Sequence, residues 1–170
     1  DRPVEDFEST LAALCATSMQ ISPHIVIGLH YGRILGEENA LDILSPPGTR
    51  VVDPGNGVAD GSVVTLAIGW WPLEFTWKAL HTGVRPPSSF TDVAIESPFA
   101  FWAHQHEIEM HGTRSSRLRD VVHYLPPRWL PRWLAVPATR LLLRTLFAWR
   151  HRRTRDAVAR NGSPAVRARL

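Results

Sequence analysis

The hydrophobic and polar positions change period along the chain. Between Ser62 and Tyr124, five runs alternate: SVVTLAIGWW, LEFTWKALHTG, SSFTDVAIESPF, FWAHQHEIEM and SSRLRDVVHY. Each is rich in β-branched and aromatic residues and is bounded by Pro, Gly, Ser or Arg, at a spacing of about 12 residues that predicts an antiparallel meander. The alternation stops at Pro126 and Pro127. After RWLPRWLAVP, residues 138–160 lack Gly and Pro and predict a long helix. Leu143, Phe147, His151, Thr154 and Val158 recur at steps of three and four and share one face, with Leu146 and Trp149 beside them and arginines elsewhere.

The N-terminal pattern is less regular. FESTLAAL, residues 7–14, reads as a first strand, and LCATSMQISPHIVIGLHYGRILG then mixes helix formers with a break at Pro23 and ends at Gly36, predicting two short helices. The Pro, Gly, Asn and Asp of VVDPGNGVADGS mark turns between strands. Strand, two short helices, antiparallel sheet and long C-terminal helix make an α+β plan, with a curved sheet wrapped around the last helix. A length of 170 residues with 44% hydrophobic side chains fits a single domain over 1–170, with no internal repeat and a frayed basic tail from about residue 161.

Composition narrows the class. Cys15 is the only cysteine, so no intramolecular disulfide can form. No stretch approaches the roughly 20 apolar residues of a membrane helix, and DRPVEDFEST lacks the basic-then-apolar order of a signal peptide, so a cytoplasmic location is expected. The net charge of +3 conceals a division, because residues 111–170 carry 14 basic and 2 acidic side chains. These arginines are expected to form the solvated face of the helix; no nucleic-acid-binding motif accompanies them, and no nucleic-acid partner is expected. RWLPRWL has the composition of an interfacial lipid contact. Pro131 and Pro137 would interrupt its apolar face, so the expected role is docking the helix start onto the sheet rather than peripheral membrane contact.

Several segments together resemble the SRPBCC family, the START-like or polyketide cyclase/lipid-transport superfamily. They are TSM near the start, GWWPLEFTWKALHTGVRPPSSFTD, SPFAFWAHQHEIE, RLRDVVHYLPP and LFAWRHRRTR, spread from about Phe7 to Arg160. The resemblance implies a helix-grip fold: a seven-stranded antiparallel sheet, two short helices between strands 1 and 2, and a long C-terminal helix enclosing a cavity against the sheet. The region LDILSPPGTRVVD departs from a clean second strand. Members bind lipids, sterols, polyketides, hormones or other hydrophobic small molecules, and some are cyclases or hydrolases.

Strand alternation then places the candidate chemistry. On FWAHQHEIEM, Trp102, His104, His106, Ile108 and Met110 share one face; Ala103, Gln105, Glu107 and Glu109 share the other, which reads as the wet one. On the next strand Leu118, Asp120, Val122 and Tyr124 form the apolar set, against Arg117, Arg119 and His123. His104, His106 and Asp120 should therefore point toward the helix. Trp77 alternates with Phe75, Ala79 and His81 on a face whose direction the pattern leaves open; Phe90 and Asp92 add to the inner set, and Phe147 and His151 reach down from the helix.

The expected ligand-binding set is Trp77, Trp102, His104, His106, Asp120, Tyr124, Phe147 and His151, facing a lipid, polyketide or aromatic molecule. The rival is an aromatase/cyclase- or dehydratase-type enzyme with His104, His106 and Asp120 transferring protons. A third reading is a non-enzymatic accessory or stress protein acting through its surface. For a metal, His104 and His106 with Asp120 or His81 are the best ligands, but no HExxH or CxxC motif supports them, so no metal and no cofactor are expected. Cys15 and Ser18 have no nucleophile motif, and His111 reads as an exposed turn residue. Trp70, Trp71, Trp129 and Trp133 are expected to pack the hairpin ends and the helix start.

Overall fold

The computed structural model describes residues 11, 13–16, 19–21, 24–28, 45–110 and 115–161. Its strands are β1 (Met19–Ile21), β2 (His24–Gly28), β3 (Thr49–Asp53), β4 (Val63–Ile68), β5 (Phe75–Arg85), β6 (Ser89–Glu96), β7 (Phe101–Met110) and β8 (Ser115–Leu125), followed by one helix, Arg132–Asn161. The sheet runs β1-β8-β7-β6-β5-β4-β3, with β2 also on β8. Every pairing is antiparallel. The first pair is Met19 with Tyr124 and the last Gly28 with Ser115, one step on β8 for each step on β1 and β2. These two segments therefore occupy one track, and the sheet is seven tracks wide, as the helix-grip plan requires.

The N-terminal expectations need correction. Leu11 and residues 13–16 are helical, not part of a strand; leucine and alanine favour a helix, and this stretch has no β-branched residue to oppose it. The chain after Thr17 forms β1 and β2 where helices were expected, since Ile and Val in HIVIG fit a pleated surface. Residues 7–10 and 29–44, where the remainder of these elements would fall, lie outside the described residues, as does the tail beyond Asn161. The irregular second strand is present as β3, with a register shift between Val51 and Asp53.

The C-terminal helix starts earlier than its pattern implies. Pro131 offers its carbonyl to the amides of Leu134 and Ala135, and the helix passes through Pro137. Proline at that position removes one bond to the carbonyl four residues back, that of Trp133, a cost softened near an exposed first turn. Ala135, Thr139, Leu143, Phe147, His151, Thr154 and Val158 are buried along one face, while Arg132, Arg140, Arg144, Arg152 and Arg155 are exposed. Trp70, Trp71, Trp129 and Trp133 are between 70% and 91% exposed, and of the four Trp70 lies with its ring against Gly48. Docking of RWLPRWL onto the sheet is therefore not seen for either of its tryptophans.

Both faces of the sheet are covered at its centre. On the inner face Trp102, Val122, Tyr124, Leu143 and Phe147 form a buried cluster between β7, β8 and the helix, flanked by partly exposed Met19, Trp77, Phe99 and Leu146. On the outer face Val93, Phe101 and Ala103 are buried beneath Leu11, Leu14 and Cys15. The outer face of β7 is thus dry at Ala103 and turns wet only toward Glu107, which pairs with Arg119 at 2.6 Å. Connections 69–74, 97–100 and 126–131 leave from the same end of the antiparallel sheet, which is also the aromatic end of the inner face.

Candidate functional site

Inner-face residues of four neighbouring strands bring the polar side chains together. His81 on β5 stands opposite Asp92 on β6, Asp92 opposite His104 on β7, and His106 opposite Asp120 on β8. His151 comes from the helix above. Asp120 Oδ1 lies 3.0 Å from His104 Nε2 and 2.9 Å from His106 Nδ1, and Asp120 Oδ2 lies 2.7 Å from His151 Nε2. Asp92 continues the chain, 3.1 Å from His106 Nε2 and 3.0 Å from His81 Nε2. Asp120 and His106 are fully buried, and Asp92 keeps 20% side-chain exposure.

Donor and acceptor rules constrain the protons. Carboxylates and carbonyls only accept, so an imidazole nitrogen facing one must carry hydrogen. His81 donates Nδ1–H to the Gly57 carbonyl at 3.1 Å while its Nε2 faces Asp92, and His106 faces a carboxylate with each nitrogen. Both surroundings favour the imidazolium form. Burial opposes charge on each, but the hydrogen bonds and charge of Asp92 on His81, and of Asp120 and Asp92 on His106, outweigh it and raise their pKa. The His106 ring also stacks on Phe90 at 4.2 Å, a favourable seat for a cation.

His104 is the opposite case. Burial first, and then the neighbouring His106 charge, push its pKa down to about 4, so the ring is neutral and donates Nε2–H to Asp120. Burial alone would raise both aspartates; hydrogen bonds from His106 and His81 hold Asp92 below the ordinary carboxylate range, and those from His104, His106 and His151 do the same for Asp120. Two carboxylates thus face the two histidines, His81 and His106, whose charged forms are favoured. Two contacts are close but poorly aligned: Asp92 Oδ1 and His106 Nδ1 have no well-directed hydrogen bond.

These shifts set a pH dependence for the metal-free chain. The raised His81 and His106 stabilise fully below 6.5, and that contribution is lost as pH rises through their folded values. The lowered His104 stabilises above 6.5 and loses this as pH falls toward about 4, while the aspartates add to the loss at more acid pH. Urea unfolding with chelator present should therefore show maximal stability near 6.5, falling on both sides. Stability climbing steadily from pH 5 to about 9 would contradict the assigned protonation.

All eight residues of the expected ligand-binding set lie on the inner face. Trp77, Trp102, Tyr124 and Phe147 join the aromatic cluster, and His104, His106, Asp120 and His151 join the polar array. His81 and Asp92 complete the array although they were outside that set; the alternation Phe90, Asp92 on β6 was the available signal. The Tyr124 hydroxyl is buried inside the aromatic cluster with no hydrogen-bond partner among the described residues. A recess of about 320 Å³ lies instead on the outer face, lined by Leu11, Cys15, Thr82, Thr91, Ala103 and Gln105. It does not adjoin the polar array.

No protein-family profile and no curated protein matches the chain. Solved structures do. A START superfamily protein from Mycobacterium smegmatis superposes with a TM-score of 0.54 at 13% identity, over 78% of this chain and 95% of its own. The chain has the START-like, helix-grip fold. The same fold relates it to norcoclaurine synthase from Thalictrum flavum, solved with dopamine and hydroxybenzaldehyde, with a TM-score of 0.57 at 12% identity over 89% of this chain and 93% of that one. The di-domain aromatase/cyclase BexL of the BE-7585A biosynthetic pathway gives 0.62 at 12% identity, over 94% of this chain and 58% of that chain. At such identities the START-like likeness speaks for architecture; activity has to be argued from the site.

Proposed function

We propose that this START-like chain binds a hydrophobic small molecule of the lipid, polyketide or aromatic class between the sheet and the C-terminal helix. The observation that carries this reading is the buried Tyr124 hydroxyl, without a hydrogen-bond partner among the described residues, set among Trp77, Phe99, Trp102 and Phe147. A buried hydroxyl without a partner costs free energy that a polar atom of a guest would recover. Met19, Trp77, Phe99 and Leu146 remain partly exposed at the margin of the cluster, where a guest would enter. Trp102 and Phe147 would grip its apolar body, and the His/Asp array would meet a polar end.

Native mass spectrometry on gently purified protein tests the reading. Retained organic mass that disappears on denaturation is expected. Tyr124→Phe should leave folding stability within about 1 kcal/mol yet weaken retention about 3- to 10-fold, the worth of one neutral hydrogen bond. A bare chain that also takes up no lipid, polyketide or aromatic compound on addition would remove the reading. A second reading, an aromatase/cyclase- or dehydratase-type enzyme, is favoured by the neutral His104 held by Asp120, since an imidazole with one nitrogen so engaged leaves the other with a lone pair for a proton. Turnover by wild type and its loss in folded His104→Gln would decide for it.

A further inference from the structure

The inner array is richer in ligating groups than binding an apolar guest requires. One ligand atom from each of Asp92, His104 and His106 lies within 4.8 Å of the others. Tetrahedral neighbours around an ion are about 3.4 Å apart, so atoms already within this bound close on one ion with side-chain movements of about an ångström. His106 Nε2 and Asp92 Oδ2, at 3.1 Å, already have the separation of neighbouring ligands.

Asp120 stands where a supporting carboxylate would. It accepts from His104 Nε2, lies 2.9 Å from His106 Nδ1, and is tied to the helix by His151. A carboxylate that accepts from one nitrogen of a ligating imidazole fixes the ring and leaves the other nitrogen for the ion. His81, His104 and His106 are all buried around the same two carboxylates, Asp92 and Asp120. The poorly aligned atoms of that arrangement, Asp92 Oδ1 and His106 Nδ1, belong to the same residues.

We infer that Asp92, His104 and His106 form a site for one divalent first-row transition ion, with Zn²⁺ the simplest occupant and Asp120 orienting both imidazoles. On binding, any proton on a ligating imidazole nitrogen passes to solvent, and the ion forms bonds to two imidazole nitrogens and a carboxylate oxygen, leaving a further position for water or a ligand atom. Asp92, the one member of the triad with notable exposure, marks the route in. The site stands independently of the ligand reading, because an ion can be held there whether or not the aromatic end takes a guest.

The test uses the whole chain, stripped with EDTA, incubated with Zn²⁺ alone, freed of excess metal by gel filtration and subjected to elemental analysis. One retained equivalent is expected, with retention lowered at least about 10-fold in Asp92→Asn and His106→Gln whose circular dichroism matches wild type. No retained zinc in the folded wild type, or equal retention in the folded variants, overturns the site. Should a variant not fold, Co²⁺ added to the stripped wild type decides. Intense visible bands of a low-coordinate ion support the site, and the faint spectrum of a hydrated octahedral ion overturns it.

Discussion

Asp120→Ala is expected to destabilise the protein by about 3–5 kcal/mol, the usual consequence of removing one partner from a buried ion pair. The carboxylate serves His104, His106 and His151 at once, so its removal leaves three buried imidazoles short of an acceptor. The loss should appear as a lower urea midpoint with an unchanged slope. Asp120→Asn keeps one carbonyl oxygen but not the charge that raises His106, and should fall between wild type and Asp120→Ala. A cost below about 1 kcal/mol for the alanine variant would mean that the imidazoles find other acceptors, and that the carboxylate is not the centre of the array.

Phe147→Ala should cost a similar amount, about 3–5 kcal/mol, through the cavity it leaves as well as the lost burial. Phe147 is 2% exposed, meets the His104 ring edge-on at 5.1 Å, and belongs to the cluster that joins the helix to β7 and β8. His151 lies one turn further along the same helix. Hydrogen exchange should therefore show weaker protection of helix amides around both residues, and slower exchange restored by Phe147→Leu more than by Phe147→Ala. Unchanged protection in the alanine variant would show that the helix is held chiefly elsewhere.

The inner face was legible because its chemistry and its period coincide. Trp102, His104 and His106 alternate with smaller or charged residues, and so do Asp120, Val122 and Tyr124 on the partner strand. The outer face misled, since alternation is read as wet against dry only where one side meets water. Phe101, Ala103 and Val121 are apolar too, and with Val93 they signal the second buried layer that the N-terminal helix covers. Tryptophan identity was a poor guide to burial at 70, 71, 129 and 133, because position in a connection outweighed side-chain type. The His–Asp distances lay beyond the pattern altogether: they depend on the pairing of β5 to β8 and on how far His151 reaches from the helix.

The exposed indoles have a consequence at the bench. Of the seven tryptophans, Trp70, Trp71, Trp129 and Trp133 already sit in solvent, whereas Trp102 is buried and Trp77 is in contact with it at 5.2 Å. Steady-state emission from the native chain should already be weighted to long wavelengths, with only a modest red shift on denaturation. Near-ultraviolet circular dichroism, which registers the fixed asymmetry around Trp77 and Trp102, is the optical signal that follows the core.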